Sequence, residues 1–399
     1  MFGLAPILVT LMLISNQAYS NTRDKIRLNG FLGIGSATVN RNNFLGEGRD
    51  SALIIDASVN ATYSIDDNFS VQGQLSYREF GDNISDDKPR IDYLNVTYVT
   101  NQLLSGEHAL SLGRVKSKSG IYNEFRDIPT AKPSILLPQS VYLDVFRNLL
   151  LSIDGVSLNS SFDTEVGNFQ FQLSLGEINL DDGINETSFG SFVNGKWHED
   201  DAFLADFRWS NSGYLLSFSY SEYVPMYFAA PGDFVRVSPE LPAINVVDGE
   251  VVFTHYVYSL QKNWNTFELV AEYAYRVFGV RRLLEYPVGA QRPMEGYYLQ
   301  GRYNLNASTT ILLRWERYFR NADDKNGERI RTFGLESWAD NAITKTIGLK
   351  YQLNKSWSVF TEVHHITGSG YLPPFVLTSA ASVESKDSVL WATEFVYRF

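Results

Sequence analysis

The chain has 399 residues, 44% of them hydrophobic and 14% aromatic, no cysteine, and a formal net charge of −11 at pH 7. The acidic balance argues against a nucleic-acid partner, which requires a basic surface. Without cysteines there is no disulfide staple, so an exported chain of this composition has to be held together by its sheet.

Residues 1–20 carry no charged side chain, Leu4 to Ile14 is an apolar run, and Ala18 and Ser20 are small residues at the two positions a signal peptidase needs. This predicts a secretory leader at 1–20, cleaved before Asn21, with 21–399 as one domain. The apolar run is shorter than the roughly 20 residues of a membrane-spanning helix. The longest later apolar run, Tyr223 to Pro231, is interrupted by Pro225 and ends at Pro231. Only helices and closed barrels satisfy every backbone group in lipid, so a barrel is the membrane form left to the rest of the chain.

From about Lys25 onward the sequence alternates with period two. Leu53, Ile55, Ala57, Val59, Ala61 and Tyr63 share one face, and Ile54, Asp56, Ser58, Asn60, Thr62 and Ser64 the other. Phe69, Val71, Leu75 and Tyr77 oppose Ser70, Gln72, Gln74, Ser76 and Arg78. The same contrast recurs in Phe169–Leu175, Phe203–Trp209 and Tyr214–Tyr220. In a soluble sandwich the apolar face would turn inward. Gln, Arg, Glu and Asp at mid-strand instead suit an aqueous lumen inside a barrel whose apolar face meets lipid.

Seven short connections are expected, at Asp66–Asn68, Asn101–Glu107, Asp163–Asn168, Ser210–Gly213, Lys262–Asn265, Asn304–Ser308 and Leu353–Ser356. Eight long ones lie near 41–50, 80–90, 116–148, 178–201, 222–250, 278–293, 320–341 and 366–387. Fifteen connections join sixteen strands with both ends on one side, and a barrel of that size leaves an aqueous channel.

The chain ends on Leu390-Trp-Ala-Thr-Glu-Phe-Val-Tyr-Arg-Phe399, in which Trp391, Thr393, Phe395, Tyr397 and Phe399 share one face and Glu394 and Arg398 the other. This strand resembles the terminal strand of Gram-negative outer-membrane barrels. The resemblance implies that Phe395, Tyr397 and Phe399 form an assembly signal read by the barrel-insertion machinery. With Leu112-Gly-Arg-Val-Lys116, the long stretch after it and Asp154-Gly-Val-Ser-Leu158, the chain resembles the sixteen-stranded outer-membrane porin superfamily. The resemblance implies an all-β transmembrane antiparallel barrel, a long third loop folded into the lumen as a constriction (here 116–148), a homotrimer, and an outer membrane of lipid and lipopolysaccharide.

On that basis the constriction residues are Arg114, Lys116, Lys118, Glu124, Arg126, Asp127 and Lys132. Within 114–147 the positive residues (these with Arg147) outnumber Glu124, Asp127 and Asp144 by six to three. Alternation puts Arg78, Arg208, Glu272, Arg302, Arg314, Glu316 and Glu362 on the lumen wall, with Glu268, Arg276, Glu394 and Arg398. Rings of Arg or Lys favour anions in a pore.

No catalytic arrangement stands out: there is no Gly-x-Ser-x-Gly elbow and no cysteine nucleophile. His364 and His365 point to opposite faces and cannot chelate together, whereas His364 shares a face with Glu362. Asp323-Asp-Lys-Asn-Gly327 matches a calcium loop incompletely and reads as a glycine-ended turn. No enzyme activity, metal or cofactor is expected. The functional expectation is passive diffusion of small hydrophilic solutes with a weak preference for small anions such as carboxylates. The alternative is a surface adhesin or structural anchor with an incidental or closed pore.

Overall fold

The computed structural model describes residues 25–46, 48–81, 88–102, 105–178, 193–198, 201–235, 242–283, 292–332, 334–372 and 385–399. The expected leader lies outside them. Among the described residues no helix is long and apolar enough to cross a membrane, so the crossing falls to strands.

Sixteen long strands alternate in direction: β1 (Ile26–Val39), β2 (Ser51–Ser64), β3 (Phe69–Glu79), β4 (Pro89–Thr100), β5 (Glu107–Lys116), β6 (Ser152–Thr164), β7 (Gly167–Ile178), β8 (Asp201–Asn211), β9 (Tyr214–Tyr223), β10 (Gly249–Asn263), β11 (Phe267–Arg281), β12 (Arg292–Asn304), β13 (Thr309–Phe319), β14 (Asn341–Gln352), β15 (Trp357–Thr367) and β16 (Asp387–Arg398). Each pairs antiparallel with the next, and β16 returns to β1 in the register Phe31↔Arg398 through Val39↔Leu390, closing the barrel.

The seven short connections fall where Asp, Asn, Gly and Ser predict them, and three share one device. Asp66 Oδ1 accepts the N–H groups of Asn68 and Phe69 at 2.9 and 2.7 Å. Asn306 and Asn354 do the same for Ser308 and Ser356, each at 2.9 Å. A side-chain carbonyl that mimics a backbone turn fixes the hairpin without a left-handed residue. The N–H groups of Phe69 and Asn68 also hold the Asp66 carboxyl below its ordinary value.

Alternation sorts the two faces of the wall. Leu112, Leu175, Leu313, Ile347 and Trp391 point outward and are 56–63% exposed, a belt that a soluble monomer does not carry. Aromatic pairs such as Phe171–Phe207 and Phe218–Tyr258 lie on the same outer face. At the short-turn end Lys262 Nζ stands 3.6 Å from the Tyr214 ring, an amphipathic contact suited to a membrane boundary.

The long connections build further structure. Met226–Phe228 pairs with Lys196–His198 and with the start of β10. Tyr227 of the apolar stretch 223–230 is buried against Val193, Val235, Val246, Val251 and Leu283, whereas Phe228 beside it is exposed. Segment 117–151 holds two 3-10 turns, Asn123–Phe125 and Asp144–Phe146, and a short helix Arg147–Leu151. It therefore ends three residues beyond the expected 148.

Phe399 exchanges both backbone hydrogen bonds with Gly30 at 3.1 Å, and Tyr397 stacks beside it at 6.1 Å. Gly30 leaves room for the Phe399 ring, which an added Cβ would strike. Deleting Phe399 is expected to lower the yield of heat-modifiable barrel in membranes severalfold. Gel mobility with and without boiling reads this, and unchanged yield would reject a role for the terminal residue in assembly.

Candidate functional site: the barrel interior

Segment 117–151 leaves β5 and enters β6, two neighbouring strands whose ends pair as Lys116↔Ser152. Between those points its backbone touches the inward face of strands on the far side. The Gly120 N–H donates to Ser219 Oγ and the Ile121 N–H to Glu272 Oε1, each at 2.9 Å. The Ser140 N–H donates to Glu316 Oε2 at 3.0 Å. Those of Ile135 and Leu136 donate to the two oxygens of Glu362 at 2.9 and 2.8 Å. The wall arginines take the carbonyls: Arg276 donates to Ser140 O and Val141 O, and Arg314 to Leu136 O at 3.1 Å. Carboxylates on N–H groups and guanidinium on carbonyls are charge-assisted bonds, shorter and stronger than neutral ones.

Glu272 is the most heavily bonded of these groups. Besides the Ile121 N–H it accepts from Ser259 Oγ, Tyr142 Oη and Tyr298 Oη at 2.6, 2.6 and 2.5 Å. Burial, with the Glu272 charge beside it, pushes the Tyr142 hydroxyl well above its ordinary value, so it stays a donor. Arg314 and Glu316 pair along one strand at 3.3 Å, and His364 Nε2 meets Glu362 Oε1 at 2.9 Å.

The basic residues of the segment are mostly matched. Lys116 pairs with Asp127 at 2.8 Å, Arg126 with Asp144 at 3.0 Å and Lys132 with Asp56 at 3.7 Å. Arg147 stabilises the charged forms of Asp127 and Asp144. Arg78 stands 3.4 Å from Asp56 and 3.5 Å from Asp144. Burial pulls the Arg126 guanidinium down to about 10 against the pull of Asp144, and it lowers the Lys132 ammonium against the pull of Asp56. Lys118 and Arg208 share Glu124 at 4.0 and 3.6 Å.

One expected constriction residue is elsewhere. Arg114 pairs across the sheet with Leu94, an exposed outward residue, and follows the exposed Leu112 by two positions. Its guanidinium grips Asp154 at 2.6 Å on the outer face. Alternation carries through Gly113 to Arg114, and the chain leaves the wall only after Lys116. The six-to-three excess therefore does not face water as a positive ring: Arg114 is outside, and wall acids Asp56 and Asp92 meet part of the rest.

A second difference is the packing of the interior. Each of the sixteen strands presents inward residues that are buried, among them Ile54, Ile153, Leu204, Phe253, Ala342 and Leu390 toward the long-loop end. They form one apolar cluster with Ile135, Leu136, Leu143, Leu149 and Leu150 of the segment. The expectation of open water at this level is not met. Alternation identifies the side a residue faces but carries no signal for what lies against it. Toward the short-turn end the inward side chains are wetter, including Arg27, Arg208, Glu268, Arg302, Lys350 and Arg398.

Asp144 and Asp127 give the docking of the segment an acid limit. Burial raises both carboxyls. Arg78 and Arg126 bring Asp144 below its ordinary value, and Lys116, Arg147 and Gln74 do the same for Asp127. A carboxyl with a lowered folded value contributes stability above its unfolded value, and that stability is lost as pH falls through the folded one. Protection of the 117–151 amides is expected to be full at neutral pH and to fall below about pH 4. Pulse-labelled hydrogen exchange reads this. Asp144→Asn should lower protection at neutral pH and flatten the profile; a profile identical to wild type would contradict the assignment.

A sixteen-stranded closed barrel with an apolar outer belt and a polar inner wall defines the class: a transmembrane barrel with the fold of bacterial outer-membrane porins. The solved structures agree. An anion-selective porin from Comamonas acidovorans is similar at 12% identity and TM-score 0.59, over 94% of this chain and 99% of that one. OmpF of Salmonella typhi is similar at 13% identity and TM-score 0.57, over 96% and 99%. OmpT of Vibrio cholerae in its trimer form is similar at 11% and 0.57, over 94% and 99%. At such identities the likeness is one of fold. No protein-family model and no curated protein matches the sequence.

Proposed function

We propose that the chain is an outer-membrane diffusion channel for small hydrophilic solutes, with a weak preference for small anions such as carboxylates, segment 117–151 forming its constriction. The observation that carries the preference is the balance of accessible charge inside the barrel. Lys118, Arg208 and Arg302 keep 19%, 11% and 30% of their side chains exposed, against 39% for Glu124 and 13% for Glu268. Lys350 adds positive charge on the inward register, and at the short-turn rim Arg27 and Arg398 stand with Glu107 and Asp163. Charges in a confined passage act more strongly than in bulk water, and acids of the outer loops are screened beyond roughly 8 Å at physiological salt.

The fold shared with an anion-selective porin agrees with this reading, and a trimer form of one neighbour supports assembly as a homotrimer, which native mass spectrometry of the detergent-extracted protein reads. The expected reversal potential of open channels across a potassium chloride gradient has the sign of anion preference. Arg302→Ala combined with Lys118→Ala should bring it toward zero. Cation preference in the wild type would overturn the proposal.

A further inference from the structure

We propose that segment 117–151 is a hinged gate, shut in the state described, and that solutes cross only when it releases the far wall. This rests on the diffusion-channel reading and adds to it that the passage is closed at rest.

The first observation is that the interior is filled. Asp56, Ser157, Ser219, Arg276, Glu316 and Glu394, on strands spread around the barrel, are each 4% exposed or less. An aqueous passage past them would wet at least one side of the wall. A loop that merely narrows a pore leaves such a side.

The second is the shape of the attachment. The segment is tied covalently at one place, where Lys116 and Ser152 pair on neighbouring strands. Its other attachments are noncovalent. Across the barrel, β11, β13 and β15 take the main chain at 121, 135, 136, 140 and 141. Gln172, Arg208, Ser219 and Lys350 take it at 118, 120 and 130, and Asp56 and Arg78 add ion pairs from β2 and β3. That is a flap: a hinge on one wall and a latch on the other.

The third is the chemistry of the latch. Besides its apolar contacts the segment meets buried charge, which gives a permanent core no advantage over well-packed hydrocarbon. Here the wall behind the flap presents Glu272, Arg276, Arg314, Glu316 and Glu362, groups that water solvates as readily as the segment does. Among the described residues several polar atoms at the contact are buried without a hydrogen-bond partner, including Ser140 Oγ, Arg276 Nε and His255 Nε2. Release would hydrate them. These wall groups are thus suited to both states, dry against the flap and wet in an open channel, while the apolar contacts of Ile135, Leu136 and Val141 with the wall favour the shut one.

The experiment is single-channel recording in planar bilayers with the full chain. Wild type is expected to be silent for most of the record, with brief openings. Glu316→Ala with Glu362→Ala removes the three latch oxygens that accept from Ile135, Leu136 and Ser140 and should raise the open fraction at least tenfold. A second variant guards against misfolding. Ser119 Oγ lies 3.5 Å from His255 Nδ1, across the flap and the wall, and the chain has no cysteine. Ser119→Cys with His255→Cys, bridged by a short bifunctional methanethiosulfonate that forms a disulfide with each thiolate and releases methanesulfinate, should abolish openings, and cleaving the bridge with excess dithiothreitol should restore them. Heat-modifiable mobility confirms that each variant is folded. Steady wild-type conductance, unchanged by the bridge, would overturn the gate and leave the channel standing. Silence even when 120–148 is replaced by a glycine-serine linker would overturn the channel reading and the gate with it.

Discussion

Gly35→Val is expected to abolish the closed barrel. Gly35 lies on β1 opposite Glu394 of β16, at the seam where the first strand meets the last. A side chain there would strike the Thr393 carbonyl oxygen, with its Cβ 2.8 Å from the Glu394 Cα and 2.9 Å from the Thr393 carbonyl carbon. These are backbone atoms of a paired strand, with no flexible end to move aside. The seam joins the two ends of the sequence, so losing it opens the sheet and leaves two unpaired edges in lipid, where every unsatisfied backbone group costs several kcal/mol. Ser36→Val, one residue on and facing outward, is the control and should fold normally. The measurement is the heat-modifiable fraction after refolding into vesicles. Equal fractions for the two variants would contradict the close approach at Gly35.

Leu313→Arg should destabilise the barrel by about 2–4 kcal/mol, the cost of an arginine on the lipid face near the midplane. Leu313 lies mid-strand on β13, is 58% exposed, and is paired with Gly301 and Ile347. Thr310→Arg, on the inward register near the wet end, should cost far less because water solvates the new charge. Urea titration in lipid vesicles separates the two. A small effect at 313 would mean that this outer face meets protein or water, and would move the lipid boundary.

These two cases show why so much of the fold was legible in the sequence. Period-two alternation is imposed residue by residue, since a strand between lipid and a polar interior has no other solution. The outward run of Leu53, Leu313 and Trp391 and the inward run of Asp56, Arg314 and Glu394 could therefore be sorted from sequence alone. The short turns were legible for a related reason: Asp66, Asn306 and Asn354 make the turn with their own side chains.

The interior was less legible because its contacts join residues far apart in sequence. Nothing near Glu272 indicates that it accepts the Ile121 N–H, and nothing near Lys132 points to Asp56. Counting charge in 114–147 overlooked the partners on other strands and the outward turn of Arg114. Signals for the packed interior were present in Ile54, Leu204 and Leu390, apolar residues on the polar register near the strand ends. Taken together across strands they mark a level at which the lumen is not water.

The wall glutamates and arginines hold main-chain atoms, the N–H of residues 121, 135, 136 and 140 and the carbonyls of 136, 140 and 141. Every residue but proline supplies both groups, so the grip is indifferent to side-chain identity at those positions. Side chains of the segment that do not touch the wall can change while the attachment persists. The barrel thus separates a fixed mount from an exchangeable lining, an arrangement through which permeation properties can diverge between descendants without a change in architecture, and one that a protein engineer can use in the same way.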